Sequence, residues 1–405
     1  MTVLSLIACV SLLAWLWLTF CQGDFWRTDL RLPPRGADEG TPRPSVAIVV
    51  PARDEAEVLP ESLPSLLAQR YAGDARVILV DDGSTDGTGD LARELGGRPD
   101  ALLPLTVTSP GEPPAGWTGK LWALRHGVEI AGDVEYLLLT DADIAHTPDS
   151  LDALVASAEG GSDGGYDLVS QMARLSVRTR WEQLIVPAFV YFFAQLYPFR
   201  WSNKPGSRTA AAAGGCTLVR REALARVGGV AAIRGAVIDD VNLARLVKRG
   251  GGRTWLGLAD RVDSVRPYPE LAQLWRMVSR SAYAQLRHNV LLLIGTVLGL
   301  TLVYLVPPVL LLTGLVLATP GVAAPAFAAW LLMAATFRPM LAYYGRPAWE
   351  ALLLPFTAAL YLLMTVDSAV QHWRGRGAAW KGRTYPAPDR QQSRNGRRPD
   401  LSRNP

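Results

Sequence analysis

Cysteine and histidine are scarce in this chain, with three and four among 405 residues. Cys9 and Cys21 belong to one apolar run and Cys216 to a Gly-rich stretch, so no disulfide framework is available. There is no CxxC pair and no His-rich tract to suggest a zinc site. The dinucleotide fingerprint GxGxxG and the Walker loop are also missing, which removes support for hydride transfer and P-loop chemistry. Charged residues are few, at 19%, and the net charge is a modest +4. The visible concentration of charge is the tail after Trp373, with nine Lys/Arg against two Asp. That tail lacks interleaved aromatics and a binding fold, so nucleic acid is not the expected partner. A solvated or anionic-lipid-facing tail fits better.

Long uncharged runs, by contrast, are plentiful. Residues 3–20 form one, 290–318 another broken only by Pro307 and Pro308, and 322–337 and 351–366 follow. A spanning helix needs about 20 apolar residues, so one N-terminal span and about three C-terminal spans are expected. The first run has no positive n-region and no small-residue cleavage site, unlike a signal peptide. Arg27, Arg31, Arg35 and Arg43 follow it, and Lys/Arg-rich flanks stay cytoplasmic. An integral protein of a bacterial-type inner membrane with a cytoplasmic middle is the expectation. One span before and three after would leave the basic tail outside, whereas the positive-inside bias keeps it in. Either one C-terminal run is re-entrant or interfacial, or 290–318 folds back at Pro307-Pro308.

The expected organisation is an N-terminal span (1–23), a Pro- and Gly-rich linker (24–44), a globular domain (45–270), a basic interfacial helix (271–289), a membrane region (290–370) and the tail (371–405). Within the domain, short continuous apolar runs at 46–50, 77–80 and 136–139 suit strands of a parallel sheet covered on both faces. Helical stretches at 55–69, 88–95, 120–131 and 150–158 alternate with them, which means an α/β domain. Its ligand site belongs beyond the carboxyl ends of the strands. Acidic groups fall at three of those ends: Asp54-Glu55, Asp81-Asp82, and Asp141 with Asp143.

Each motif has a plain structural explanation beside the functional one. VDDGSTDGT, residues 80–88, is a capped turn, but the doubled Asp81-Asp82 exceeds what a turn needs and could meet nucleobase and ribose. Asp141-Ala142-Asp143 alone is a common acidic pair; third in line, it suggests hard oxygen ligands for Mg²⁺ or Mn²⁺ and a diphosphate. Like charges so close need a cation, hydrogen bonds or water to relieve them. Lys120, in GWTGK, is a surface lysine or a diphosphate contact behind a loop ordered by Trp117. Asp239-Asp240 opens a helix; capping explains one carboxylate, and the other could be a general base. The aromatic stretch 181–201 reads as core packing or as a segment lying at a bilayer surface.

Together, Pro51-Ala52-Arg53-Asp54-Glu55, VDDGSTDGT, Asp141 and Asp143, GGCTLVRREAL and DDVNLARLVKRGG resemble glycosyltransferase family 2 in order and spacing over residues 46–252. The N-terminal span, GWTGK, the C-terminal runs and the WKGRTY motif at 380–385 resemble the membrane-bound hopene-associated glycosyltransferases and, secondarily, carotenoid glycosyltransferases. The resemblance implies a GT-A fold, Rossmann-like, with a nucleotide-sugar donor, uridine-linked, a divalent cation and inversion at the anomeric carbon. It places Pro51, Arg53, Glu55, Asp81, Asp82, Lys120 and Asp141 at the donor, Asp143 with Asp141 at the metal, and Asp240 as base beside Asp239.

The chain departs from the processive relatives, which carry QxxRW after the base. Aligning Arg280 with that arginine puts Met277 at the Gln position and Ser281 at the Trp position. Arg276 and Arg280, one helical turn apart, could instead hold the diphosphate, or simply belong to a basic helix at the membrane. The expected function is single-sugar transfer to a lipid hydroxyl, in hopanoid biosynthesis. The rivals are a processive polysaccharide synthase, a non-catalytic protein with a degenerate domain and, last, a transporter.

Overall fold

A computed structural model describes residues 3–33, 43–160 and 164–375, with the backbone of 379–380 and 383–384. Most of the basic tail, and residues 381, 382 and 385 of the 380–385 motif, lie outside the described residues.

The chain begins with α1 (Val3–Cys21) and enters the domain at β1 (Val46–Ala52), followed by α2 (Leu59–Leu67), β2 (Ala75–Asp81), α3 (Thr88–Gly96), β3 (Leu105–Thr108) and α4 (Gly119–Ile130). Then come β4 (Tyr136–Thr140), β5 (Ile144–His146), α5 (Ser150–Glu159), β6 (Leu168–Arg174), α6 (Arg180–Leu196) and α7 (Phe199–Asn203). The domain closes with β7 (Cys216–Arg220), α8 (Arg221–Arg226), α9 (Asp239–Arg249) and β8 (Thr254–Ser264). After it run α10 (Leu271–Gln285), α11 (Val290–Leu300), α12 (Val306–Val316), α13 (Pro320–Tyr343) and α14 (Leu354–Trp373).

Eight strands form one sheet in the order β3-β2-β1-β4-β7-β6-β8-β5. Strands β1, β2 and β4 are nearly continuous apolar runs because both faces are covered. On one face sit α2, α3 and α5; on the other, α4 and α9. Register puts Ala52 beside Asp81 and Val49 beside Leu139, so the carboxyl ends of β1, β2 and β4 emerge side by side.

The sheet is not wholly parallel as expected: β7 runs antiparallel to β4 and β6, and β5 antiparallel to β8. A strand covered on both faces carries the same apolar run in either direction, so composition does not reveal the reversal. The reversals matter for the site. Thr140 lies opposite Cys216, which brings Gly214 and Gly215 to Asp141, and Ile144 lies opposite Ser264, which brings Arg266 to Asp143.

Helix α2 starts at Leu59, later than expected, because residues 53–56 are held in a loop with Asp54 at φ 50° and a proline sits in the helix's first turn. The aromatic stretch is core. Helix α6 opens with a capping box between Thr179 and Glu182 and buries Ile185, Val186, Val190 and Tyr191. It shares its core with α13 and α14, through Tyr191–Thr336 at 2.8 Å and the Tyr361 hydroxyl donating to the Ile185 carbonyl at 3.1 Å.

Among the described residues, four helical segments are long and apolar enough to cross a membrane: Val3–Cys21, Val290–Val316, Pro320–Tyr343 and Ala348–Trp373. The second does not fold back at its prolines. A π-helical turn at Thr301–Leu305 joins α11 to α12, and the prolines sit in the first turn of α12, where no amide donor is needed.

Helix α4 lies so close to the sheet that a Cβ on Gly127 would stand 2.4 Å from Val49 Cγ1 and 3.0 Å from Val80 Cγ2. Gly127→Ala is therefore expected to destabilise the protein by about 1–3 kcal/mol through overpacking. Thermal unfolding in detergent checks this, and an unchanged melting temperature would contradict the packing described.

Candidate active site

The loop after β1 and the turn after β2 are laced together. Asp54 accepts from the Thr85 amide at 2.8 Å and its own amide donates to Ser84 Oγ at 3.0 Å. The Glu55 amide donates to Thr88 Oγ1 at 2.8 Å, and the Ala56 amide to Asp86 Oδ2 at 2.9 Å. Asp81 Oδ1 accepts from the Ser84 amide at 2.9 Å, while Gly83 and Gly87 adopt φ of 69° and 84°. Turn and cap chemistry thus accounts for Asp54, Asp86 and one oxygen of Asp81. Asp82 is buried, with Arg53 Nη1 3.6 Å from its carboxylate.

Lys120 stands at the start of α4, whose amide end is capped by Thr118. The preceding loop is ordered by Trp117, packed edge-on to Trp122 at 5.3 Å with the Arg125 guanidinium over both rings. Lys120 Nζ lies 2.8 Å from Asp141 Oδ1 and 3.0 Å from Asp239 Oδ2. One ammonium therefore bridges the end of β4 and the start of α9. Burial works against its charge, but the two carboxylates outweigh it and its pKa is raised. Burial also lifts Asp141, opposed by Lys120 and reinforced by the charges of Asp143 and Asp239.

Asp240 has no lysine contact. Its Oδ2 accepts from the Gly214 amide at 2.8 Å and its Oδ1 from the Val241 amide at 2.7 Å. Burial, and then the Asp239 charge, push it up to about 7 against the pull of Lys120. A glycine is required opposite: a Cβ on Gly214 would come within 3.4 Å of Asp240 Oδ2 and 3.5 Å of Lys120 Nζ. Pro51, Lys120, Asp141, Gly214, Asp239 and Asp240 line a cavity of about 30 Å³. That is room for water and not for a sugar, so a donor would lie across its mouth.

A second cation, unforeseen in the sequence, completes the arrangement. Arg266 Nε is 3.0 Å from Asp143 Oδ2, and its Nη2 pairs with Glu55. Ser264 Oγ stands 3.4 Å from Asp143 Oδ2 and the Val265 amide donates to the Asp143 carbonyl at 2.8 Å. Tyr268, also unforeseen, follows, its hydroxyl pKa raised by burial and then by Asp143, with Arg266 and Arg280 opposing. Arg280 thus lies within electrostatic reach of the site from the exposed face of α10. Arg276 is exposed and has no ion pair among the described residues, so the structure does not bring it to the others.

Among the described residues no group of three or more His, Cys, Asp or Glu side chains could hold a metal. Lys120 and Arg266 each take one oxygen of Asp141 and Asp143, leaving Asp141 Oδ2 and Asp143 Oδ1. An incomplete oxygen set of this kind fits Mg²⁺ or Mn²⁺, which complete their shells with water and substrate phosphates. It does not fit a metal held by protein alone.

A sheet of this order with carboxylates gathered at its carboxyl ends is a GT-A type, Rossmann-like fold. The family model for glycosyl transferase family 2 matches residues 47–228. Over 91% of this chain and 99% of the other, the fold is similar to that of the mannosyltransferase PcManGT from Pyrobaculum calidifontis, solved with GDP-Man and Mn²⁺ (TM-score 0.53, 21% identity). A polyprenol monophosphomannose synthase of Mycolicibacterium smegmatis is 33% identical over 135 residues, 32% of this chain and 47% of its own length. A 4,4'-diaponeurosporenoate glycosyltransferase of Staphylococcus haemolyticus is 31% identical over 120 residues, 29% of this chain and 30% of its own. The chain thus spans half or less of the length of these curated relatives.

Removing the bridging ammonium should be costly. Lys120→Met leaves Asp141 and Asp239 facing each other and should destabilise the fold by about 3–5 kcal/mol at pH 8. The unpaired carboxylates would hold protons more tightly folded than unfolded, so the variant's stability should fall as pH rises. Melting at pH 5 and pH 8 tests this; a deficit no larger at pH 8 would rule out the bridge.

Proposed function

We propose that the protein is a membrane-bound, inverting glycosyltransferase that moves one sugar from a nucleotide-diphosphate donor to a membrane-lipid oxygen. The observation that carries this reading is Asp240: a half-buried carboxylate lifted to about 7, lining a cavity together with Lys120 and Asp141. A base poised near neutral pH beside a cationic diphosphate site is what direct displacement needs. In this reading Asp81, Asp82 and Arg53 receive the nucleoside, and Pro51 shapes the wall beneath the sugar. Lys120 and Arg280 attract the diphosphate, while Glu55 holds Arg266 in place. A divalent cation at Asp143 and Asp141 would, when bound, neutralise charge on the leaving diphosphate. Asp240 takes the acceptor proton, and Asp239 keeps Lys120 aimed.

The donor is proposed to be uridine-linked; the GDP-Man of the solved relative makes a guanosine donor the natural comparison. A single transfer is favoured over processive synthesis because Ser281 offers no acceptor-stacking ring in the place of the QxxRW tryptophan. The resemblance of the GWTGK and membrane segments supports a hopanoid hydroxyl as acceptor. The name of the mycobacterial relative supports a lipid phosphate. Chemistry separates the two, since a hydroxyl must lose a proton during attack, whereas a phosphate presents an oxyanion at neutral pH.

Detergent-purified protein titrated with nucleotide sugars should bind one donor in a Mn²⁺-dependent way, and Asp143→Ala should lose that dependence. With a hydroxyl acceptor, Asp240→Asn should keep donor binding and lose about 10²–10⁴-fold in transfer. With a lipid phosphate, Asp240→Asn should transfer almost normally. No donor binding by folded protein, or full activity of both variants on a hydroxyl lipid, would refute the assignment.

The base acts ionised, so kcat/KM toward a hydroxyl acceptor should fall about tenfold per pH unit below about 7, where Asp240 takes up its proton. A flat profile between pH 5 and 8 would remove Asp240 from the role.

A further inference from the structure

By length and composition α14 could cross a membrane, yet its contacts keep it at the catalytic domain. Helices α1, α12 and α13 form a bundle: Ala8, Leu310, Val322 and Ala326 cluster together, and Gly314 packs so closely on Ala323 that a Cβ would meet its backbone nitrogen at 2.6 Å. Helices α1 and α13 pack directly on each other in the same direction, with Gly321 beside Ser5, and α12 runs back alongside them. The near ends of α1 and α13 both reach the domain. Just beyond α1, Gln22 Nε2 donates to the Gln195 carbonyl at 3.2 Å, and Tyr343 at the end of α13 donates to the Ala259 carbonyl on β8 at 2.5 Å.

Helix α14 therefore starts on the domain side, and it ends there too. Along its length the Tyr361 hydroxyl meets the Ile185 carbonyl of α6, Asp367 accepts from Trp275 Nε1 at 2.9 Å, and Ser368 Oγ accepts from the Tyr283 amide at 3.0 Å. At its last turn His372 stacks on His288 with ring centroids 4.1 Å apart. Its partner α10 is pinned to the domain at both ends. The Tyr268 amide donates to Glu182 at 2.6 Å, and Gln285 accepts from the Tyr197 hydroxyl at 2.6 Å. A 20-residue helix is about 30 Å long. With both ends beside the domain, it runs along the domain's base and does not traverse a hydrocarbon layer of similar thickness.

Its outer side is nonetheless apolar. Trp349 just before it, then Phe356, Leu363 and Trp373, are each more than half exposed, and α11, packed beside α14, exposes Leu291 and Leu298. Arg276 on α10, which packs against α14, and Arg374 after α14 are exposed. We propose that α10 and α14 form one docking surface for the domain-side leaflet of a bilayer bearing anionic phospholipid. Phe356 and Leu363 enter the acyl boundary, the tryptophans sit at its edge and the arginines meet lipid phosphates. The chain then crosses three times, and whatever follows Trp373 emerges on the side of the catalytic domain. This keeps the basic tail with the domain, as its charge requires.

The test uses the full-length protein in cells, with Cys9→Ala and Cys21→Ala as background; Cys216 is buried and stays. Single reporters Lys204→Cys (domain), Leu317→Cys (far end of the bundle) and Arg374→Cys are treated with an impermeant maleimide before and after permeabilisation. Arg374→Cys should react together with Lys204→Cys and apart from Leu317→Cys. Reaction of Arg374→Cys in step with Leu317→Cys would overturn the proposal, and so would all three reacting alike.

Spin labels at Phe356→Cys and Leu363→Cys, in vesicles of phosphatidylglycerol and phosphatidylethanolamine, should report equal, shallow depths of about 5–10 Å. An upright helix would separate them by about 10 Å and would likewise defeat it. Neither readout depends on sugar transfer, so the surface stands or falls apart from the enzymatic reading.

Discussion

Repulsion among carboxylates is the constraint on which the arrangement depends. Glu55, Asp141, Asp143, Asp239 and Asp240 approach one another from three parts of the chain, in surroundings dry enough to lift Asp141 and Asp240 from the usual carboxylate range. Two side-chain cations make this tolerable. Lys120 ties the end of β4 to the start of α9, and Arg266 ties the loop after β1 to the acidic turn after β4. Each cation serves two carboxylates brought from separate elements, so the electrostatics that relieve the site also fasten the sheet's edge to the helices around it. A buried pair of this kind is retained as a unit, because losing one partner strands the other.

The two aspartates at the head of α9 show how little geometry separates different behaviours. Asp239 faces an ammonium at 3.0 Å, whereas its neighbour Asp240 faces two backbone amides. Burial lifts Asp240, and its two amide partners oppose that lift only in part. One residue of separation on a helix therefore places an ion-paired carboxylate beside a group able to exchange its proton near neutral pH.

Much of this was legible in the sequence, for a physical reason: strands β1, β2 and β4 are buried on both faces and so are written as apolar runs, with the acidic groups at their ends as punctuation. The turn at residues 80–88 could be read from its glycines and caps. Arg266 could not. It lies 123 residues from Asp143 and reaches it only through the antiparallel pairing of β5 with β8, and no local pattern encodes that register. The direction of β7 was hidden for the same reason. In the membrane region, composition reported how apolar each helix is, while the course of α14 was fixed by Asp367, Ser368 and His372, polar side chains spaced within an otherwise apolar run.

Helix α6 was introduced as core shared between the sheet domain and the helices that follow it. Ile185, Val190 and Tyr191 are fully enclosed, with Phe25 and Phe337 edge-on to the Tyr191 ring at 5.2 and 5.1 Å. The dividing line between soluble and membrane portions thus runs through the middle of one hydrophobic core and not along a hinge. Excising the catalytic portion would uncover that core as a large apolar patch, so the two portions form a single cooperative folding unit. With those helices in a bilayer, strain applied there by thinning or curvature would be transmitted to the base of the sheet without a flexible joint to absorb it.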